Sequence, residues 1–230
     1  MTYLVIIMVA LLSVWLGKLS LAGGLTAVTL GALIFLGTGV EGLTYIGIFF
    51  VAGVIATVYS RSKIRIRSGE PDLPRTTSQV LANGGLASLL SLCAIFFPEA
   101  KDLLVFLIAC SLSSAIADTL SSELGVIYGS RHYHSLTFKK DARGADGVIS
   151  AEGTLIGVGA GLLIALPYQF LFYRDFPFWM VVVAGAAGNY ADSVMGALLE
   201  RKGIIGNNTV NFLNTCTGAA VGYALSMLAK

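Results

Sequence analysis

Long apolar runs alternate with short polar breaks along the whole chain. Reading between charged or turn-rich breaks gives eight segments: 2–17, 22–38, 42–59, 79–97, 103–127, 148–172, 177–199 and 208–229. A hydrocarbon core of roughly 30 Å takes about 20 apolar residues of α-helix, so each segment is predicted to cross a bilayer. The expected fold is an all-α polytopic transmembrane helical bundle of about eight spans, forming one integral membrane domain over 1–230. Residues 1–59 supply N-terminal helices, and 60–230 carries the polar motifs. The opening "MTYLVIIMVALLSVWLG" has no basic residue ahead of its apolar stretch and no A-x-A site. It is expected to remain as the first helix rather than act as a cleaved leader.

Composition strengthens this reading. Hydrophobic residues make up 56% of the chain and charged ones 12%, with a mean hydropathy of +0.80, whereas a soluble domain carries about 25% charged residues. Cys93, Cys110 and Cys216 fall inside apolar segments without paired spacing, as small core hydrophobes do. The net charge of +2 says little about partners, and no nucleic-acid partner is expected.

Charge placement orients the chain. Lys18, then Arg61, Lys63, Arg65, Arg67 and Arg75, then Arg131, Lys139, Lys140 and Arg143, then Arg201 and Lys202 fall on one side of the eight-span pattern. Lys101, Arg174 and Lys230 fall on the other. The basic side is expected to be cytoplasmic, with both termini non-cytoplasmic. Loops 60–78, 128–147 and 200–207 would face the cytoplasm, while "GTGVEG", "PEAKD" and "YRDFP" look merely connective.

Against this apolar background, "SSAIADTLSSELG" (113–125) places Asp118 about 15 residues into its span, or roughly 22 Å along the axis. "GNYADSVMGALLE" (188–200) places Asp192 at the same offset in a span of the same direction. The two carboxylates are therefore predicted at similar depth, in the cytoplasmic third of the bilayer. The pattern A-D-[ST]-x-x-[SG]-x-L fits both 117–124 and 191–198. "SQVLANGG" adds Gln79 and Asn83 near the same level, and "GNNTVNFLNT" adds Asn207, Asn208, Asn211 and Asn214. Asn208 and Asn211, three apart, share a helix face. An ionised Asp inside a membrane costs on the order of 2.5–3.5 kcal/mol and normally faces protein, water or a cation.

Other motifs carry less. Gly153, Gly157 and Gly161 read as a helix-packing stripe, not a Walker loop, because no G-K-[ST] follows. His132 and His134 lack a third metal ligand, and no Ser–His–Asp arrangement is apparent. In "KKDARGADGVISAEGT" (139–154), Ser150 reads as a helix N-cap. Gly144, Asp146 and Gly147 read as a loop whose backbone can approach phosphate.

Two carboxylates with amide neighbours suit Mg²⁺, which keeps waters that phosphates replace, and basic loops suit phosphate. The residues point to phosphoryl or nucleotidyl transfer to a lipid at the membrane edge. A transporter or lipid carrier is the alternative of another class, although transporters place binding residues at midplane among broken helices.

The stretches "RTTSQVLANG" (75–84), "IADTLSSELG" (116–125), "GADGVISAEGT" (144–154), "ADSVMGALLE" (191–200) and "NNTVNFL" (207–213) occur in an order that resembles the membrane kinases of isoprenoid phosphates. That family is typified by the phytyl-phosphate kinase of tocopherol synthesis and is more distantly similar to dolichol kinases and CDP-diacylglycerol synthases. The resemblance covers about 60 to 230. It implies a CTP- and Mg²⁺-dependent kinase that turns an isoprenyl monophosphate into the diphosphate, with a membrane cytidylyltransferase as the nearer alternative. It also implies that Asp118, Glu123 and Asp192 bind Mg²⁺–nucleotide, with Asp118 and Asp192 as metal ligands. Asn83, Asn208, Asn211 and Ser122 would orient phosphates or water, with Gly144, Asp146 and Gly147 beside them. Arg75, Lys139, Lys140 and Arg143 would neutralise phosphate charge. The loop "SRSKIRIRSGEPDLPR" departs from the family in lacking a clear K-x-G-G, which leaves Lys63 without an assigned role. The chain length of the lipid stays open, as does assembly into a homo-oligomer.

Overall fold

The computed structural model describes residues 1–68 and 73–228, apart from the side chains of 64–68. The side chains of Arg65 and Arg67, and Lys230, therefore lie outside the described residues. Eight α-helices follow the predicted segments: α1 (Thr2–Trp15), α2 (Leu21–Thr38), α3 (Val40–Ser68), α4 (Thr77–Phe96), α5 (Lys101–Tyr128), α6 (Ala151–Leu166), α7 (Phe178–Met195) and α8 (Asn207–Leu228). α2 to α6 are long and apolar enough to cross a membrane, α5 and α6 together with the single turns that adjoin them. α1 is apolar but shorter. α7 and α8 dilute their apolar surface with the Asn and Asp residues that form the site.

The helix ends follow from local chemistry. Ser20 and Ser150 cap α2 and α6 by accepting the amides of Gly23 (3.0 Å) and Gly153 (3.1 Å). At the start of α4 the Thr76 amide donates to Gln79 Oε1 at 2.8 Å. The α2–α3 junction turns at Gly39, φ +69. Two predicted boundaries need correction. α3 does not end near 59 but continues to Ser68, because leaving the bilayer ends the need for apolar side chains, not the helix. The loop between α5 and α6 also contains an unpredicted antiparallel pair, β1 (Tyr133–His134) with β2 (Val148–Ile149).

α5 is the axis of the bundle. Every residue from Val105 to Asp118 is buried, and α5 packs against α3, α4, α6, α7 and α8. Glycines on its neighbours allow the close approach. A methyl group on Gly185 would lie 3.0 Å from the Ser113 carbonyl, one on Gly157 3.2 Å from the Ala117 carbonyl oxygen, and one on Gly218 2.9 Å from that of Cys110.

The two ends of the bundle are tied differently. At the end carrying most of the Lys and Arg residues, Arg75 pairs with the α1–α2 turn: its amide donates to the Lys18 carbonyl and its carbonyl accepts from Ser20, both at 3.0 Å. At the opposite end the connections are more than spacers. Arg174 Nε donates to both carboxylate oxygens of Glu41 (2.9 and 3.0 Å), and Arg174 Nη1 donates to Asp102 at 2.5 Å. Tyr45 adds a hydroxyl to Glu41 at 2.6 Å. Glu41 is buried and Asp102 exposed.

Candidate active site

The small residues flanking Asp118 and Asp192 bring α5 and α7 together with no bulk between them, so the two carboxyl groups meet within hydrogen-bonding reach. Ser122, one turn beyond Asp118, donates to its Oδ1 at 3.4 Å. Asn214 of α8 donates Nδ2 to Asp192 Oδ2 at 3.4 Å. Ser114 holds Asn214 in place by donating to its side-chain oxygen. Asn189, one turn before Asp192, accepts from Ser121 at 2.9 Å. Asp118 and Asn214 are buried. Among the described residues no basic side chain pairs with either aspartate.

Two carboxylates this close need a shared proton or a cation between them. Around them stand hydroxyl and carboxamide groups, an all-oxygen donor set of the kind that Mg²⁺ takes. No group of three or more His, Cys, Asp or Glu close enough to hold a metal occurs among the described residues. A hard cation here would therefore rest on two carboxylates and keep several waters.

Beside the pair opens a polar cleft of about 240 Å³, lined in part by Ser122, Gly144, Asp146, Gly147, Ser150, Asp192, Glu200 and Asn207. Its roof is the loop predicted to approach phosphate. Gly144 and Gly147 adopt φ of +77 and +73, and the Gly147 backbone presses on α7 where a five-residue π-helical turn, Gly196–Glu200, extends it. Ser135 donates to the Ser193 carbonyl (3.0 Å), and Tyr190 donates to the Ser135 carbonyl (3.1 Å). A two-pronged ion pair from Arg201 to Asp141, at 2.6 and 3.2 Å, locks the loop to the chain after α7. That guanidinium holds the Asp141 carboxyl down at about 2.

The predicted site residues separate into three groups. Asp118, Asp192, Ser122, Gly144, Asp146 and Gly147 come together as expected. Arg75 and Asn83 lie elsewhere, at the end of a second pocket among α1 to α4. Glu123 goes with them: five positions beyond Asp118, it points round the helix and acts on Arg75. Burial pushes the Arg75 guanidinium down from its ordinary value, and Glu123 opposes that shift. Lys139, Lys140 and Arg143 are exposed, and neither they nor Asn208 and Asn211 line the cleft.

The structure gives contacts to residues that the sequence reading placed in the asparagine layer without a role, Asn207 and Asn214, and adds Glu200, Asn189 and His132. Asn214 contacts Asp192 in place of Asn208 or Asn211, and Asn207 lines the cleft with Glu200. Asn207 and Asn214 are seven apart, two turns of one face, and this spacing was the available signal. Glu200 and Asn189 flank Asp192 on α7 and its extension. His132 lines the cleft with its Nε2 buried and, among the described residues, without a hydrogen-bond partner.

With this geometry in view, the model of the family "Integral membrane protein DUF92" matches residues 4–219. A membrane protein of Methanocaldococcus jannaschii is 38% identical over 176 residues, covering 76% of this chain and 71% of its own length. A membrane protein of Synechocystis is 30% identical over 210 residues, covering 87% and 80%. The chloroplastic protein VTE6 of Arabidopsis thaliana is 31% identical over 222 residues, covering 90% and 66%. No solved structure matches.

Proposed function

We propose that this chain, which belongs to the integral membrane protein DUF92 family, is a kinase that transfers the γ-phosphoryl group of CTP to an isoprenyl monophosphate. The five ordered motifs resemble the membrane kinases of isoprenoid phosphates, and the similarity to VTE6 extends over 90% of this chain. The observation that carries the reading is the meeting of buried Asp118 with half-buried Asp192, neither with a basic partner among the described residues, beside a cleft roofed by a glycine loop.

In this reading Asp118 and Asp192 hold Mg²⁺, with Asn214 orienting Asp192 and Ser122 orienting Asp118. Bound there, Mg²⁺ would neutralise nucleotide phosphate charge. The backbone at Gly144 to Gly147 contacts the phosphates. An acceptor monophosphate is already ionised near neutral pH, so its oxygen attacks the γ-phosphorus without a dedicated base. The bond from that phosphorus to the β-bridging oxygen breaks, and CDP leaves with the electron pair. The cleft faces the cytoplasm, on the side rich in Lys and Arg.

The test uses purified protein in detergent with phytyl, geranylgeranyl and longer prenyl monophosphates and four γ-labelled nucleotides. Label in a prenyl diphosphate, greatest with CTP, supports the kinase. Release of labelled pyrophosphate with formation of a CDP-lipid would identify a cytidylyltransferase instead. No product with any pair would remove the enzymatic reading.

A further inference from the structure

The second pocket does not belong to the acidic cleft. It is a cavity of about 220 Å³ enclosed by α1, α2, α3 and α4. Val5, Val9, Leu43, Ile46 and Phe50 make its wall apolar over most of its length. It follows α3 from Leu43 to Phe50, roughly 10 Å at the rise of an α-helix. Val5 and Val9 are exposed on the outer surface of α1, so the slot opens sideways where lipid would lie. Gly31, Gly47 and Gly84 line it; Ile6 and Leu30 pack against the first and last, while the missing side chain of Gly47 leaves space that a chain could fill.

One end of the slot is polar. Arg75, Gln79 and Asn83 line it there. Among the described residues Arg75 makes a single side-chain hydrogen bond, from Nη2 to Thr57 Oγ1 at 3.3 Å, although a guanidinium has five N–H donors. A methyl group on Gly53 would lie 3.2 Å from Arg75 Nη2 and 3.5 Å from the Thr119 side chain. The guanidinium thus reaches the turn of α5 that carries Asp118. An apolar slot open to lipid and ending on a half-buried cation with spare donors is complementary to a single-chain lipid with an anionic head.

We propose that this slot binds the isoprenyl monophosphate, its tail between α1 and α3 and its phosphate on Arg75, at the face of α5 that carries Thr119 and Glu123. The assignment of this ligand rests on the kinase reading, but the slot is tested without any nucleotide. Phytyl monophosphate carrying a diazirine at the tail end is photolysed with the protein, and the labelled peptides are mapped. Label is expected on α1 or α3. Competition is expected from unlabelled phytyl monophosphate and not from equimolar dioleoyl phosphatidic acid.

Gly47→Phe is the blocking variant, because a methyl group at position 47 meets nothing within 4 Å. It should fold with a melting temperature no lower than wild type, abolish the label, and raise the acceptor KM by about tenfold, the equivalent of nearly two displaced methylenes. Arg75→Gln should weaken binding of the phosphate probe about tenfold without affecting a phytyl alcohol probe. Label confined to α6–α8, labelling unchanged in Gly47→Phe, or equal competition by phosphatidic acid would each overturn the proposal. Label on α1 or α3 without diphosphate formation would keep the slot and remove the kinase. Diphosphate formation with label elsewhere would do the reverse.

Discussion

One chemical change, glycine to alanine, should have opposite effects at two positions of this bundle. At Gly159, on the exposed face of α6, an added Cβ meets nothing within 4 Å. The substitution there removes only the backbone freedom of glycine and should stabilise by about 0.5–1 kcal/mol. At Gly218 the added Cβ would lie 2.7 Å from Ser114 Cβ and 2.9 Å from the Cys110 carbonyl oxygen, both on buried α5. Those atoms cannot rotate aside, so α8 must move off by several tenths of an ångström. Overpacking of this kind costs about 1–3 kcal/mol, which exceeds the propensity gain. The net effect is a loss of up to about 2 kcal/mol. For a chain of this size about 1 kcal/mol corresponds to roughly 2–4 °C, so Tm in detergent should rise for Gly159→Ala and fall for Gly218→Ala. Gly218 is one turn from Asn214, so Gly218→Ala should also weaken the support of Asp192 and lower activity. Shifts of the same sign at both positions would refute the argument that glycine sets the spacing of these helices around the site.

Three further outcomes follow from single contacts. Arg174→Met leaves Glu41 buried without its cation and should destabilise by about 3–5 kcal/mol; Glu41→Gln in the same chain should recover much of that loss in a thermal melt. Asn214→Leu removes the amide from Asp192 and should raise the Mg²⁺ concentration for half-maximal activity about 10–100-fold, measured by metal titration of the purified protein. The Asp141 carboxyl, held at about 2 by Arg201, lies below the ordinary value of about 3.9 for an unfolded chain. Its contribution is therefore complete above pH 4 and lost as the pH falls toward 2. Pepsin cleavage within 129–147 should rise across that window, and Arg201→Gln should flatten the dependence.

The helices were legible because bilayer thickness imposes one length on every apolar run, and each break carries a turn former or a charge. What apolarity cannot mark is a helix end beyond the bilayer, which is why the basic stretch 60–68 was expected as loop and is helical. The aspartate pair was legible from equal offsets in two parallel helices, a purely one-dimensional argument. Lateral placement was harder. Glu123 lies close to Asp118 in sequence, yet a five-residue step turns it toward Arg75, whereas Ser122, four residues on, stays with the carboxylate. Asn208 and Asn211 satisfied a helical spacing, but α8 approaches α5 at Gly218 and α7 at Gly188, and the face turned toward Asp192 belongs to Asn214. Lys139, Lys140 and Arg143 matched the charge of a phosphate site, but loop charges are free to point outward, and these do. Strands of two residues each are too short to leave a period in the sequence.

The account depends above all on Asp118 and Asp192 holding one divalent cation between them. Manganese, as a magnetic substitute for magnesium, can be titrated into the purified protein and the free ion counted by electron paramagnetic resonance. One Mn²⁺ site is expected in the wild-type chain, competed by Mg²⁺ and lost in both Asp118→Asn and Asp192→Asn while each variant keeps its helical circular dichroism. Undiminished Mn²⁺ binding in folded Asp118→Asn and Asp192→Asn protein would contradict it.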